Sequence, residues 1–287
     1  MSPKSSLNPR PYGLATITTI YLLWALVPVA IAVLFSFNAG RSRSVWQGFS
    51  LRWYTWDPHG SIMNSPSLRN ALLHTIVLAL IATVITVPLG VALALALDRW
   101  RGRIPTGASF AVLLSFVIPE IALAIGLLFL ITMLTTPFGL GTTAQVVGLV
   151  TFQLSYPVVI VRARLLTIGK QYEEAARDLG ASALGAVKRV LLPMLLPAIL
   201  VSAILVFADV LDNFVIVRYL SADMSTETTS MRIYSTARAA PTPALNALAT
   251  LILASSLTVV AVGWLIYRRW GKNDGEDVSF GSFTGNV

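Results

Sequence analysis

The chain alternates between long apolar stretches and short charged ones. The stretches with at most two charged residues are 11–40, 70–97, 104–161, 190–217 and 239–267. A helix needs about 20 apolar residues to cross the hydrocarbon core of a bilayer. Backbone polar groups in that core must be satisfied within the segment itself, which favours helices. The pattern therefore predicts an all-α, polytopic membrane protein with six transmembrane helices, over residues 14–37, 71–97, 108–134, 143–161, 194–217 and 244–267.

Composition supports this interpretation and narrows the chemistry. The sequence has 287 residues, 55% of them hydrophobic and only 12% charged, with a mean hydropathy of +0.74. Soluble domains carry about 25% charged residues. The sequence contains no cysteine, which excludes disulfides, thiolate metal sites and a thiol nucleophile. The two histidines leave little material for a metal centre, so we expect none.

The basic residues predict an orientation. Of the 21 Lys and Arg residues, 14 lie in the N-terminal segment, in 98–107, in 162–190 and in the C-terminal tail. Cytoplasmic segments of membrane proteins are enriched in Lys and Arg, so both termini are predicted to be cytoplasmic. The net charge of +8 is then an insertion signal, and no nucleic-acid partner is expected. We predict a cytoplasmic segment over 1–13, the membrane domain over 14–270 and a disordered cytoplasmic tail over 271–287.

The segment 163–193 is too polar to lie in the bilayer, yet it is patterned. Tyr172, Ala175, Ala176 and Leu179 fall at helical spacing on one face. Gly180 is placed to end this short helix, and a second helix follows it and enters the fifth crossing through two prolines. Periodicity alone fits a solvated amphipathic linker equally well.

The order of residues in this segment is more specific. It reads Glu174-Ala175-Ala176, three residues, Gly180, nine residues, then Val190-x-Leu192-Pro193. This resembles the "EAA" loop of ABC-importer permeases, whose pattern has Ile where this chain has Val190. The resemblance implies a coupling helix that seats on a cytoplasmic ATPase subunit. The implied coupling residues are Tyr172, Glu173, Glu174, Ala175, Ala176, Asp178, Gly180, Leu192 and Pro193.

Motifs outside that loop extend the resemblance. Residues 46–50 and 53–54, with 233–235 and 246–250, are similar to the second permease subunit of the spermidine/putrescine branch. The resemblance implies the ABC type I importer permease fold in a bacterial inner membrane. The implied partners are an ATPase dimer that holds ATP and Mg²⁺, a second and different permease subunit, and an extracytoplasmic binding protein. No cofactor is then bound by this chain. Importers of iron, opines or amino acids, thiamine or sugars remain alternatives for the solute.

Three carboxylates lie inside predicted crossings: Glu120, Asp209 and Asp212. An ionisable residue at the centre of a membrane helix costs at least about 2.5–3.5 kcal/mol, so it faces the protein interior or a pathway. An acidic path would suit a cationic solute. The polyamine permeases carry comparable acidic residues, although here Asn213 stands at one acidic position. Glu120, Asp209, Asp212 and Asn213 are therefore candidates for the substrate path. For the three carboxylates, hydrogen bonding between helices or pairing within the permease heterodimer is an equally weighted alternative.

Other candidates have simpler interpretations. His74 is expected to make a polar contact within the second crossing. Trp46, Trp53, Tyr54 and Trp56 are expected to form an interfacial aromatic belt, with docking of a binding protein as the alternative. The sequence contains no phosphate-binding loop, so we expect this chain not to hydrolyse ATP. An ion-driven secondary transporter and a membrane-embedded protease or ligase are the alternatives from other classes.

Overall fold

The computed structural model describes residues 12–42, 44–58, 60–100, 102–133, 139–239 and 242–271. Almost all of the segment 1–13 and of the tail 271–287 lies outside these ranges. The helices are α1 (Tyr12–Ser36), α2 (Pro66–Arg99), α3 (Arg103–Val117), α4 (Glu120–Met133), α5 (Thr142–Gln153), α6 (Ser155–Ile168), α7 (Gln171–Asp178), α8 (Ala183–Ala186), α9 (Leu192–Asp212), α10 (Val215–Tyr219), α11 (Thr229–Ala239) and α12 (Pro243–Gly271).

Five helical spans are long and apolar enough to cross a bilayer, and a sixth is broken. Helices α3 and α4 meet at an angle of 111° across a two-residue break. The prediction of one continuous third helix over 108–134 is therefore wrong in this detail. The cause is Pro119, which disfavours helical geometry at the preceding residue. Ile118 accordingly adopts extended backbone angles, φ −66° and ψ 124°.

Two predicted boundaries also differ from the structure. The fourth crossing, predicted over 143–161, continues as α5 and α6 to Ile168. Its last turns include Arg162, which donates a hydrogen bond to Ser109 Oγ on α3 at 3.1 Å. The fifth crossing, predicted to reach residue 217, leaves the helix after Asp212, and the short α10 follows. The predicted ends of these two crossings, residues 161 and 217, therefore differ from the helix ends by seven and five residues.

The core of the bundle is formed by α2, α6 and α9, which pack against one another. Small residues allow the closest approach. A Cβ at Gly90 on α2 would lie 2.3 Å from Pro157 Cγ on α6. Leu78, Val158 and Leu195 are fully or almost fully buried where these helices meet. Helix α12 packs against α1 and α9 on one side of this core.

The segment between α1 and α2 is folded around a buried tryptophan. Trp53 is 1% exposed and donates from Nε1 to the carbonyl oxygen of Asn38 at 2.7 Å. Arg52 forms an ion pair with Asp57 beside it. The expectation of an interfacial belt is therefore wrong for Trp53, because its ring fills the centre of this segment. Trp46 and Trp56 are exposed.

A second polar contact ties α2 to α5. His74 Nε2 lies 2.9 Å from Gln145 Oε1, which confirms the expected polar contact of His74. Gln145 Nε2 donates to the carbonyl oxygens of Val217 at 3.0 Å and Thr226 at 2.9 Å. Gln145 is fully buried, and all of its hydrogen-bonding groups are engaged by the protein. This residue therefore serves as a structural tie.

Candidate functional site

The predicted path residue Glu120 lies beside the break between α9 and α10. It is half-buried in the first turn of α4, directly after the break at Pro119. Asn213, the residue directly after α9, donates from Nδ2 to Glu120 Oε1 at 2.6 Å. Ser230 Oγ in turn donates to the carbonyl oxygen of Asn213 at 2.7 Å. The hydrogen bonds of Glu120, Asn213 and Ser230 thus connect the break between α3 and α4 to the break between α9 and α10.

Asp209 is paired as well, and with a residue that the sequence analysis missed. Gln153, the last residue of α5, donates from Nε2 to Asp209 Oδ2. Gln153 is fully buried, whereas Asp209 is half-buried on α9. The one sequence feature that could have pointed to Gln153 is that it is an amide side chain in an apolar stretch without charged residues. That signal is weak, because Gln145 in the same helix gives the same signal and has a structural role.

Asp212 completes the group from the last turn of α9. It is exposed on the surface of this chain and lies three residues after Asp209, which places both carboxylates on one face of α9. Tyr156, in the first turn of α6, lies near Asp209 and Glu120 and interacts electrostatically with both. It was not among the predicted residues. We call these residues the mid-span cluster: Glu120, Gln153, Tyr156, Asp209, Asp212 and Asn213. All four predicted path residues therefore come together.

The mid-span cluster is rich in hydrogen-bond acceptors. Its three carboxylates accept, and two of them already receive an amide N–H. The carbonyl oxygens of both amides, Gln153 Oε1 and Asn213 Oδ1, are buried and have no hydrogen-bond partner within the described part of the chain. The cluster contains no basic side chain. Chemically, such a group can receive a ligand that brings N–H or O–H donors and positive charge.

The predicted coupling residues lie at one end of the bundle. Tyr172, Glu173, Glu174, Ala175, Ala176 and Asp178 all belong to α7, an amphipathic helix of eight residues that has no fully buried residue. Its apolar face is open: Leu179 is 90% exposed and Tyr172 47%. Glu174 is exposed beside it. An exposed apolar face flanked by charge is typical of a surface that a partner covers.

The turn after α7 depends on Gly180. This glycine has φ +88°, a left-handed conformation that side chains disfavour. Around it, the Ala181 N–H donates to the carbonyl oxygen of Ala176 at 3.0 Å, which closes the helix end. Ser182 then caps α8 by accepting a hydrogen bond from the Gly185 N–H at 3.1 Å. The predicted role of Gly180 as the residue that ends α7 is confirmed.

The remaining residues that were predicted to couple to the ATPase lie where α7 connects to the core of the bundle. Residues Val187–Leu191 form a π-helical turn that continues into α9, and Leu192 and Pro193 begin that helix. The wider turn accommodates Pro193, which cannot donate a backbone hydrogen bond. Arg99, at the end of α2, forms an ion pair with Glu173 on α7 at 2.5 Å. Helix α7 is thereby joined to two core helices.

The described residues contain no group of three or more His, Asp or Glu side chains arranged to hold a metal ion. Two of the three carboxylates of the mid-span cluster, Glu120 and Asp209, instead accept hydrogen bonds from amide groups.

Comparisons with known proteins assign the family. Residues 58–271 match the model of the binding-protein-dependent transport system inner membrane component. The chain belongs to this family. The permease is also 34% identical over 264 residues to the spermidine/putrescine transport system permease protein PotC of Shigella flexneri, covering 91% of this chain and 96% of the relative. It is 31% identical over 256 residues to the putrescine transport system permease protein PotI of Escherichia coli, covering 88% and 89%.

The fold is that of ABC-importer permeases. A chain in the crystal structure of a bacterial ABC transporter that imports the acidic polysaccharide alginate superposes with a TM-score of 0.71. The match covers 90% of this chain and 94% of the other, at 17% sequence identity. The predicted fold class, membrane location and family are therefore confirmed: the permease is the inner-membrane subunit of an ABC importer.

Proposed function

We propose that the permease forms half of the translocation path of an importer for a small cationic solute of the polyamine class, such as spermidine or putrescine. The observation that carries this proposal is the acceptor-rich mid-span cluster. It combines Glu120, Asp209 and Asp212 with two amide oxygens, in a region that hydropathy places within the membrane. The relatives that cover nine-tenths of the chain are named for the same solutes.

The cluster suits an ammonium group for a specific reason. Bringing a cation into a low-dielectric region requires compensating negative charge and hydrogen-bond acceptors. Glu120 and Asp209 are held in place by Asn213 and Gln153, so their positions are set before the solute arrives. In the isolated chain Asp212 is exposed, so its carboxylate is available to a path shared with a second permease subunit.

In this proposal, ATP hydrolysis by partner ATPase subunits drives transport through the permease. We propose that α7 seats in an ATPase subunit through its open face, with Glu174 pairing with a basic group there. ATP and Mg²⁺ belong to the ATPase dimer and supply the driving energy. On this chain, the π turn and Pro193 pass the displacement of α7 into α9, which carries Asp209 and Asp212 at its other end. The path alternates between inward-open and outward-open forms.

The remaining partners follow from the family and the charge pattern. The α7 end is proposed to be cytoplasmic, because α7 lies within 162–190, one of the segments that together hold 14 of the 21 basic residues of the sequence. A binding protein delivers the solute at the opposite end, where the 37–65 segment lies. The second permease subunit is proposed to be a different chain.

The coupling proposal is tested by co-purification of the ATPase with the permease. We expect Glu174→Lys to abolish co-purification, because it reverses the charge on the open face of α7. Thr167→Lys is the control, since it adds a lysine on the exposed surface of α6 at the same end but outside α7. Retained co-purification of Glu174→Lys would refute the role of α7.

The solute is tested by uptake of labelled putrescine and spermidine into vesicles that contain the complete transporter. Saturable, ATP-dependent uptake is the expected result. The second candidate is a solute with a carboxylate, such as an amino acid. Arg218 favours it, because it is exposed on α10 close to Asn213 in the chain. Uptake of amino acids with no uptake of either polyamine would establish that second candidate.

A further inference from the structure

Gln153 presents a buried hydrogen-bond acceptor that the protein leaves open. Its side chain is fully buried, and its Nε2 donates to Asp209 Oδ2. Its Oε1 is buried and accepts no hydrogen bond from any residue that the structure describes. Buried polar atoms nearly always have a hydrogen-bond partner, so we expect this oxygen beside a carboxylate to accept a hydrogen bond from another molecule.

The orientation of this amide is determined by its neighbour. Rotating the amide by 180° would bring Oε1 against Asp209 Oδ2, and two acceptors repel each other. Nε2 therefore faces the carboxylate. Because the nitrogen and oxygen share one carbon atom, Oε1 lies beside the same acidic group.

Gln145 provides an internal comparison. It is the same residue type, on the same helix α5, and is equally buried. Its Oε1 pairs with His74, and its Nε2 donates to two backbone carbonyls. Within the described part of the chain, all hydrogen-bonding groups of Gln145 are thus engaged, whereas Gln153 Oε1 at the mid-span cluster has no partner.

Asn213 repeats the arrangement of Gln153 on the other side of the mid-span cluster. Its Nδ2 donates to Glu120, it is 7% exposed, and its Oδ1 is buried with no partner among the described residues. Each amide therefore fixes one carboxylate and offers one acceptor. A ligand that brings both positive charge and N–H groups satisfies the two kinds of group together.

We propose that Gln153 is a solute-contacting, specificity-determining residue of the translocation path: Nε2 holds Asp209, and Oε1 accepts a hydrogen bond from an N–H group of the cationic solute. This inference rests on the proposed function of the permease. It adds that the path distinguishes a protonated primary amine from a quaternary ammonium of equal charge, because only the former donates a hydrogen bond to Oε1.

The experiment uses the complete transporter in proteoliposomes, with labelled putrescine as the solute. Gln153→Met removes both polar atoms at nearly constant length, and Gln145→Met is the matched control. For Gln153→Met we expect an increase of about tenfold in KM, with unchanged permease abundance and ATPase association. For Gln145→Met we expect reduced abundance and an unchanged KM for the complexes that remain.

Competition identifies the hydrogen bond itself. Unlabelled putrescine and its bis-trimethylammonium analogue compete for uptake, and the binding protein is the same in every assay. Wild type is expected to prefer the primary diamine, and Gln153→Met to lose most of that preference. The double variant Gln153→Glu, Asp209→Asn exchanges the donor and the acceptor of this pair, and we expect it to keep normal abundance without the original KM.

Two outcomes would overturn the inference. If wild type takes up putrescine while Gln153→Met keeps its KM and its preference, Oε1 binds only a structural water and the proposed function stands. If wild type takes up neither putrescine nor spermidine, the proposed function itself fails, and the inference fails with it.

Discussion

The surface of α7 and the mid-span cluster are both polar interruptions in an apolar chain, but they are built in opposite ways. The α7 surface comes from eight consecutive residues, and most of its side chains are exposed. The mid-span cluster comes from α4, α5, α6 and α9, and its two amides are buried. The first presents a surface to another molecule, whereas the second exists only after four helices have packed.

This difference predicts that the two regions fail separately. A change on α7 should affect association with the ATPase and leave the polar pairs of the bundle intact. A change in the mid-span cluster should affect solute handling and leave ATPase association intact. Only a change in the frame that carries both, the packing of α2 against α6, should remove both together.

The largest effect is expected from Gly90→Ala. The added Cβ would lie 2.3 Å from Pro157 Cγ, and neither the ring nor the helix can move away freely. Overpacking of this kind costs about 1–3 kcal/mol or more. We expect a large loss of permease from the membrane fraction, measured by immunoblot, with both functions lost.

Gly126→Ala is the control, because nothing lies within 4 Å of a Cβ built there. Normal abundance of Gly90→Ala would show that α2 and α6 can separate without cost, and the shared frame would then be the wrong explanation.

The next effect concerns Gly180. A Cβ there meets nothing within 4 Å, so the cost of substitution comes from the φ of +88° alone. We expect Gly180→Val to weaken ATPase association about tenfold at normal abundance, since the left-handed conformation costs about 1–2 kcal/mol. Asparagine tolerates this conformation, so Gly180→Asn should retain most of the association. Equal behaviour of the two variants in a pull-down would contradict the conformational explanation.

A smaller effect is expected from Asp212→Asn. Asp212 is the exposed carboxylate of the mid-span cluster, so its neutralisation leaves the Glu120–Asn213 and Asp209–Gln153 pairs in place. We expect KM for putrescine to rise several-fold, with unchanged ATPase association. Asp223→Asn, in the turn before α11, is the control. Unchanged KM and rate for Asp212→Asn would remove this residue from the path.

The smallest effect should come from the Arg99–Glu173 pair. The two side chains are 36% and 21% exposed, and ion pairs at the surface contribute about 0.2–1 kcal/mol. Arg99→Glu should therefore lower ATP-driven uptake less than about fivefold. The double variant Arg99→Glu, Glu173→Arg should recover it. A double variant as impaired as Arg99→Glu would indicate that these residues act independently.

Much of the fold could be predicted because the bilayer imposes a simple rule on the sequence. Five of six crossings appear as long helices close to the predicted positions, since each needs only an uninterrupted apolar run. The turn at Gly180 was also predictable, because glycine is suited to a left-handed conformation whatever packs around it. These features depend on neighbours in the chain.

The incorrect predictions concern features that neighbours in the chain do not decide. The break at Pro119 was missed as a change of direction, because a proline in a membrane helix can also be absorbed as a small kink. The end of α9 at Asp212 was missed because Phe214 and the residues after it remain apolar. Trp53 looked like an interfacial residue until the fold placed Asn38 beside its indole nitrogen.

The sequence by itself determined the membrane location, the number of crossings and the coupling motif, because hydropathy and short-range turn chemistry are local properties. Tertiary structure decided which polar residues meet. Gln145 and Gln153 are alike in sequence context, yet Gln145 pairs with His74 and backbone carbonyls, whereas Gln153 donates to Asp209 and its oxygen has no partner among the described residues. Hydrogen bonding depends on atoms that approach from distant parts of the chain, and only packing brings them together.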